Sequence, residues 1–273
     1  MKAVILTAGL GTRFLPMTKA IPKAMLPILN KPIIQYLAEE ALSAGITDLI
    51  IVTGRGGELI ERHFGRSHEL AHDLKSRGKE TLLKPIEDLE KQLNIAYVEQ
   101  DEAKGDGHAI LCAKHLLEGE DFAVIFGDDI IDTEESALKQ LLDVYKETNS
   151  PVICTQQVPE DQISNYGVIE PLNINERKIA VKGLVEKPKR EDAPSNYGII
   201  GKYICTAEVL NHLAAAESSY KDGEIRLIDG FRKMLEEKKE IYALEVKGTR
   251  FDAGNEKGLL EANIAFGKKA GLI

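Results

Sequence analysis

The sequence predicts an α/β fold, a mixed, mostly parallel central sheet with helices on both faces, joined to a smaller lobe that also contains β structure. Three observations carry this expectation. Short apolar, β-branched runs such as Ala3-Val4-Ile5-Leu6 and Leu49-Ile50-Ile51-Val52 alternate with helical stretches through short connections, the order expected of parallel strands buried on both faces. The 273 residues exceed the usual size of one domain, yet α/β sheets often hold such a length as one unit with insertions. A composition of 43% hydrophobic and 29% charged residues, with no Trp and no low-complexity tract, is that of a globular protein. A single unit over 1–273 is expected, with halves at 1–150 and 151–255 and a final helix at 256–273.

The first strand stops at Ala8-Gly9-Leu10-Gly11-Thr12, a glycine-rich loop. Glycines there let backbone N–H groups approach an anion, and Arg13, Lys19 and Lys23 add cations nearby. Pro16, Pro22 and Pro27 stiffen the loop that carries those charges. The expectation is a phosphate cradle. Gly9-Leu10-Gly11-Thr12-Arg13-Phe14 is not a dinucleotide fingerprint, because Phe14 stands where the third glycine should be, and P-loop spacing is absent.

A helix follows from Pro32 to Ala44, with Gly45 as its stop, and then the strand Asp48 to Thr53. Gly54-Arg55-Gly56-Gly57 reads as a turn and helix start, since no lysine cluster accompanies it. Residues 58–93 are polar and helical and contain His68-Glu69-Leu70-Ala71-His72, which matches the zinc-peptidase pattern letter for letter. In that reading Glu69 is the base and Glu90 a third ligand. The charged flanks favour a solvated helix, because a catalytic metal needs a packed surround to hold its ligands.

Asn94 to Val98 is a third strand, leading to Gln100 and the loop Lys104-Gly105-Asp106-Gly107-His108. Gln100 offers a donor and an acceptor, which suits the paired imide edge of a base such as uracil, and Gly105 lets the backbone close on a flat base, although the residues alone read first as an exposed polar turn. Asp121 to Phe126 is the strongest buried-strand signal and ends at Gly127-Asp128-Asp129. Two adjacent carboxylates at a strand end need a compensating cation, and magnesium, which takes one or two carboxylates plus phosphate oxygens, is the economical one. A helix N-cap before Thr133 would explain one aspartate but not both.

Further strands fall at Val152–Thr155, Tyr166–Ile169, Ile179–Val185 and Tyr197–Tyr203. The third of these runs into Glu186-Lys187-Pro188, a carboxylate beside an ammonium that can hold one ligand at two points, although the bare motif reads first as two adjacent surface charges. Glu224 to Lys238 reads as a helix with Ile225, Ile228, Phe231 and Leu235 on one stripe. Thr249-Arg250-Phe251-Asp252 then places another carboxylate at a strand end before the last helix.

The totals narrow the function classes. A net charge of −9 argues against nucleic-acid binding, which needs a broad basic footprint. No apolar run approaches a membrane span of roughly 20 residues, and the first residues hold too short an apolar core for a signal peptide, so a cytoplasmic location without membrane attachment is expected. Cys112, Cys154 and Cys205 read as buried free thiols.

The stretch GLGTRFLPMTKAIPKAMLP closely resembles the signature of bacterial UTP–glucose-1-phosphate uridylyltransferases, within the wider sugar-1-phosphate nucleotidylyltransferases. Ala24 replaces a usual Glu, while Lys23 and Leu26-Pro27 are kept. The resemblance runs over nearly the whole chain in the family's order. It implies a Rossmann-like sheet, with 1–150 binding nucleotide and a sugar-binding lobe in 151–255. It also implies the substrates UTP and glucose 1-phosphate, Mg2+ as cofactor, and a homo-oligomer. Ala8, Gly9, Gly11, Thr12, Gln100 and Gly105 would then hold the nucleotide, and Gly167, Glu186, Lys187 and Gly201 the sugar phosphate. Asp128 and Asp252 would hold the metal, and Arg13, Lys23, Lys187 and Asp128 would act on the phosphates. Asp106 stands where a leucine is common, and Ala253 where a cysteine is often found. A thymidylyl- or guanylyltransferase, a non-catalytic sugar-nucleotide sensor and a zinc peptidase are the alternatives.

Overall fold

Alternation along the first strands decides the layering. In β1 (Lys2–Leu6) Ala3 and Ile5 enter one apolar cluster and Val4 and Leu6 another; in β6 (Phe122–Phe126) Ala123 and Ile125 join the first and Phe122 and Val124 the second. With a side-chain period of two, both faces of the sheet are therefore buried and must be covered. The computed structural model describes residues 1–117, 119–215 and 223–273. On one face lie α1 (Ile33–Ser43), α7 (Ala137–Thr148) and α10 (Glu256–Lys269); on the other lie α5 (Asp106–Cys112), α8 (Ala207–Ala215) and α9 (Leu227–Glu236).

Between these run β2 (Pro27–Ile28), β3 (Lys31–Pro32), β4 (Asp48–Thr53), β5 (Asn94–Glu99), β7 (Asp129–Asp132), β8 (Val152–Gln157), β9 (Gly167–Asn175), β10 (Lys178–Glu186), β11 (Tyr197–Cys205), β12 (Tyr242–Glu245) and β13 (Thr249–Asp252). The remaining helices are α2 (Glu58–Phe64), α3 (His68–Ser76), α4 (Lys84–Gln92) and α6 (Lys114–Leu117). Nine strands form one sheet in the order β5-β4-β1-β6-β11-β8-β12-β10-β9. The expected mixed α/β class is the observed one, but the sheet is not mostly parallel as expected: four of the joins along its order are parallel and four antiparallel. Pairings among β5, β4, β1 and β6 and between β8 and β12 are parallel, whereas β6–β11, β11–β8, β12–β10 and β10–β9 are antiparallel. The β9–β10 join is antiparallel because the short turn at Glu176 reverses the chain without a crossover helix.

Local chemistry sets most boundaries. Gly45, at φ 83°, follows α1 in the left-handed region that ends helices, and Asn149, at φ 51°, does the same after α7. α9 begins three residues later than the helical pattern suggests, because Ile225 N–H donates to the Lys104 carbonyl at 2.8 Å and holds the segment extended. The residues after Asp128 depart further from expectation. Asp129–Asp132 form β7, paired antiparallel with β13 so that Asp129 faces Asp252 and Asp132 faces Thr249. Helix α7 starts only at Ala137, capped by the Ser136 hydroxyl, which accepts from Lys139 N–H at 3.1 Å.

Cys154 and Cys205 are buried free thiols, and burial pushes both thiols up. Cys112 differs from expectation in being half-buried. Among the described residues no helix is long and apolar enough to cross a membrane.

The largest buried polar feature supports the sheet behind the site. Lys202 on β11 is 0% exposed; its ammonium lies 2.8 Å from Glu40 Oε2 on α1 and donates to the Asp129 carbonyl at 2.9 Å. Removing one partner of a buried pair strands the other charge. Lys202→Met should lower the free energy of urea unfolding by about 3–5 kcal/mol. Adding Glu40→Gln, which removes the stranded charge and keeps an acceptor for Leu138 N–H, should recover at least half of that loss. Unchanged stability in the single variant would contradict the assignment.

Candidate active site

A cavity of about 850 Å³ opens where the carboxyl ends of β6 and β10 meet β7, β13 and the amino-terminal loop. It is lined by Arg13, Asp128, Gly167, Glu186, Lys187, Gly201 and Asp252, seven of the residues singled out by the sequence. Their elements are far apart in the chain. They converge because strand ends in an α/β sheet share one rim.

The loop after β1 is a series of single turns at Thr12–Phe14, Met17–Lys19 and Lys23–Met25. Gly11, at φ 63°, starts the series, and a Cβ there would lie 3.0 Å from Thr18 Cγ2; the Thr18 hydroxyl donates to the Gly11 carbonyl at 2.7 Å. Phe14, the residue that excludes a dinucleotide fingerprint, is buried in the core and anchors the loop. Lys23 Nζ donates to Asp128 Oδ2 in a short, largely buried ion pair. A Cβ on Gly9 would lie 3.8 Å from that ammonium, so the glycine-rich backbone borders the Lys23–Asp128 pair. Arg13 reaches the opposite side of the loop, donating to the Gly254 carbonyl at 3.4 Å. Lys19 is exposed and lies apart from the cavity lining.

Gly254 sits between the two expected metal ligands. A Cβ there would be 2.6 Å from Asp128 Oδ2 and 2.9 Å from Asp252 Oδ1, so only glycine lets both carboxylates face the same small volume. Backbone groups hold them in place: Ala253 N–H donates to the Asp128 carbonyl at 2.8 Å, and Gly254 N–H to Asp252 Oδ1 at 3.0 Å. The Asn255 amide donates to Asp252 Oδ2 at 2.9 Å. Paired hard oxygen donors around a glycine-lined gap fit a divalent cation such as Mg2+.

Asp129 has a different fate from its neighbour. Arg250 Nε donates to its Oδ1 at 2.5 Å and Gly201 N–H to its Oδ2 at 3.0 Å, so the protein itself compensates this carboxylate. Burial pushes the Asp129 carboxyl up while Arg250 pulls against it; burial is also the largest single influence on Arg250 and works against its charge, but Asp129, Tyr166 and Asp252 together hold the guanidinium above its ordinary value. Beside the Asp128-Asp129 pair, where a compensating cation is expected and magnesium is the economical one, protein cations serve both carboxylates. Lys23 serves Asp128, and Arg250 serves Asp129. Gly201 was expected to make room for a sugar. Its missing side chain also serves Asp129, since a Cβ there would meet Asp129 Oδ2 at 2.5 Å.

Across the cavity, Gly167 pairs in register with Glu186, and a Cβ on Gly167 would lie 3.1 Å from Glu186 Oε2. Lys187 has φ 44°, an uncommon conformation for a residue with a side chain, and its N–H donates to the Tyr166 carbonyl at 3.1 Å. Its ammonium stays more than half exposed, 3.7 Å from Glu186 Oε1. Ala8, Gly9, Gly11, Thr12, Gln100 and Gly105 do not line this cavity. Gln100 Nε2 donates to the Gly105 carbonyl at 3.0 Å and lies 3.0 Å from His108 Nδ1, so this amide shapes its own loop. Gly105, at φ 95°, is packed so tightly that a Cβ would fall 2.4 Å from the Ile225 carbonyl.

Sequence reasoning missed Asp106, Arg250, Tyr203 and Asn255, all of which line the cavity. Arg250 carried a signal, since it lies two residues before Asp252 on the same strand. The His68, Glu69 and His72 set is exposed on α3, and Glu90 pairs with Arg66 at 3.9 Å. Among the described residues the one His and carboxylate trio close enough to share an ion is Glu208, His212 and Glu237, elsewhere on the surface.

The sequence profile described as nucleotidyl transferase matches residues 2–269. A UTP–glucose-1-phosphate uridylyltransferase of Bacillus subtilis (strain 168) is 45% identical over 265 residues, 97% of this chain and 90% of the relative. Among solved structures, the crystal structure of apo UDP-glucose pyrophosphorylase superposes with a TM-score of 0.92 at 40% identity, covering 98% of each chain. A UDP-glucose pyrophosphorylase complexed with UDP-glucose gives 0.89 at 40% identity, with the same coverage.

The two arginines at the rim should separate in a stability experiment. Arg250→Met leaves Asp129 buried without its cation and should cost about 3–5 kcal/mol in urea unfolding. Arg13→Met, which removes an exposed guanidinium, should change the same measurement by less than about 1 kcal/mol. Equal losses would contradict the assignment of Arg250 as the structural arginine of the two.

Proposed function

The chain belongs to the nucleotidyl transferase family, and on that premise we propose that it is a UTP–glucose-1-phosphate uridylyltransferase, joining the two substrates into UDP-glucose and pyrophosphate. A phosphate oxygen of glucose 1-phosphate attacks the α-phosphorus of UTP in line; the new P–O bond forms as the bond to the β-phosphate oxygen breaks, and pyrophosphate departs. No side chain becomes covalently modified. The obstacle is the approach of two anions, so positioning and charge neutralisation outweigh acid–base chemistry.

Each rim residue has a part in that task. Arg13, at the edge of the loop, steadies the β- and γ-phosphates. Lys23, already opposite Asp128, steadies the α-phosphate of the transferring uridylyl group and the departing pyrophosphate. Lys187, exposed on its tight turn beside Glu186, faces the phosphate of the sugar, while Glu186 accepts from sugar hydroxyls near Gly167. The turn at Gly9 and Gly11, with Ala8 and Thr12, offers backbone donors to the triphosphate, and the loop closed by Gln100 and Gly105 takes the uracil. Asp128 and Asp252 would hold Mg2+, which when bound neutralises phosphate charge and orients the α-phosphate.

The observation that carries this reading is the meeting of Arg13, Lys187, Asp128 and Asp252 at one cavity, with Lys23 bound to Asp128. Its experiment is magnesium-dependent pyrophosphate release from UTP, dTTP and GTP with a panel of hexose 1-phosphates. UTP with glucose 1-phosphate should turn over fastest; a preference for dTTP or GTP would assign another nucleotide, and substrate binding without turnover would indicate a sensor. In the same assay Asp128→Asn and Lys187→Ala should each lower kcat by more than about a hundredfold, as loss of charges facing the transition state does. Near-native turnover in either folded variant would remove that residue from the mechanism.

A further inference from the structure

Asp106 is a charged group in the cavity wall that the mechanism above does not use. It opens α5, and its Oδ1 accepts from Leu227 N–H, the first amide of α9, at 2.6 Å. Among the described residues its Oδ2 has no protein donor. The tie between the two segments does not depend on this carboxylate: Ile225 N–H donates to the Lys104 carbonyl at 2.8 Å and Gly107 N–H to the Ile225 carbonyl at 2.9 Å. A neutral Asn or Ser at position 106 would accept from Leu227 N–H without placing a charge in a confined wall. The charge therefore has another use.

The surroundings point to that use. The cavity that Asp106 lines contains Gly167, Glu186, Lys187 and Gly201, the whole expected sugar-phosphate set, and none of the six expected nucleotide residues. Burial raises the Asp106 pKa to about 6, with Glu186 and Glu224 adding to the rise and Leu227 N–H and Arg226 opposing it. The Tyr203 hydroxyl is likewise raised by burial first, then by Asp106 and Glu186, so the three groups lie in one electrostatic neighbourhood. Phe231 and Ile228 supply apolar wall beside them. Carboxylate acceptors next to an aromatic face are the chemistry that recognises a polyhydroxylated ring.

We propose that Asp106 accepts a hydrogen bond from a hydroxyl of the bound hexose through Oδ2, so that the sugar is selected by two carboxylates, Asp106 and Glu186. This rests on the uridylyltransferase reading and deepens it. A site that satisfies a carboxylate with a substrate hydroxyl rejects the analogue lacking that hydroxyl, because the acceptor is then left unpaired. Asp106 is a specificity residue here, set apart from the groups that meet the phosphates.

The test compares wild type with Asp106→Asn. With the amide oxygen held by Leu227 N–H, the variant turns an NH2 donor toward the sugar where the wild type has an acceptor. Steady-state kinetics with UTP, glucose 1-phosphate and a set of monodeoxy glucose 1-phosphates provide the readout. The variant should raise KM for glucose 1-phosphate by about tenfold while KM for UTP stays within about twofold. One monodeoxy analogue, disfavoured by wild type, should be handled by the variant about as well as glucose 1-phosphate itself. Asp106→Leu, checked for folding by circular dichroism, should give the same split. Unchanged KM for glucose 1-phosphate, a change confined to UTP, or a deoxy-sugar profile identical to wild type would overturn the proposal. Failure of wild type to release pyrophosphate would overturn the reaction instead.

Discussion

Three carboxylates, Asp128, Asp129 and Asp252, share one rim of the sheet, and their mutual repulsion is the constraint that the rest of the site answers. Like charges held close and partly out of water raise one another's free energy, so each needs a partner in place. The partners are divided by role. Asp129 is buried and permanently satisfied by Arg250 and Gly201 N–H, whereas Asp128 and Asp252 are held from behind by backbone and by Asn255 and turn oxygens toward the gap at Gly254. Lys23 bridges from the amino-terminal loop to Asp128 and so couples the glycine-rich turn to this pair.

The fold supplies this arrangement through pairings distant in sequence. β7 and β13 meet with Asp129 opposite Asp252, and β13 also delivers Arg250 to Asp129 from two residues away. Lys202, fully buried between Glu40 and the Asp129 carbonyl, fixes the start of β7 against α1. The rim is therefore positioned in part by a buried polar contact that ties β11 to α1 and β7. The cavity wall opposite is built by the β9–β10 pairing, which sets Gly167 beside Glu186.

Much of this was legible before any coordinates. Runs such as Ala3–Leu6 and Phe122–Phe126 are apolar for their whole length because both faces of those strands are buried, a local property that a sequence displays directly. The glycine-rich turn after β1 was legible for the same reason: Gly11 needs a left-handed backbone, and Phe14 needs the core. The division of labour between Asp128 and Asp129 was not legible. It depends on Arg250, 121 residues further along, reaching Asp129 through a strand pairing that no local pattern announces. Asp106 was hidden in a similar way, since its partner amide belongs to Leu227. His68 and His72 show the converse. They satisfy a spacing pattern while their helix buries none of its residues, so nothing holds them as ligands.

In the proposed reaction Asp128 and Asp252 would grip one ion at the point where the loop cations can meet the triphosphate. Anomalous diffraction from crystals grown with Mn2+ and UTP measures this directly. An anomalous peak is expected between the Asp128 and Asp252 carboxylates, in contact with phosphate oxygens. A structure with UTP bound and the peak elsewhere, or with no peak beside these two residues, would contradict it.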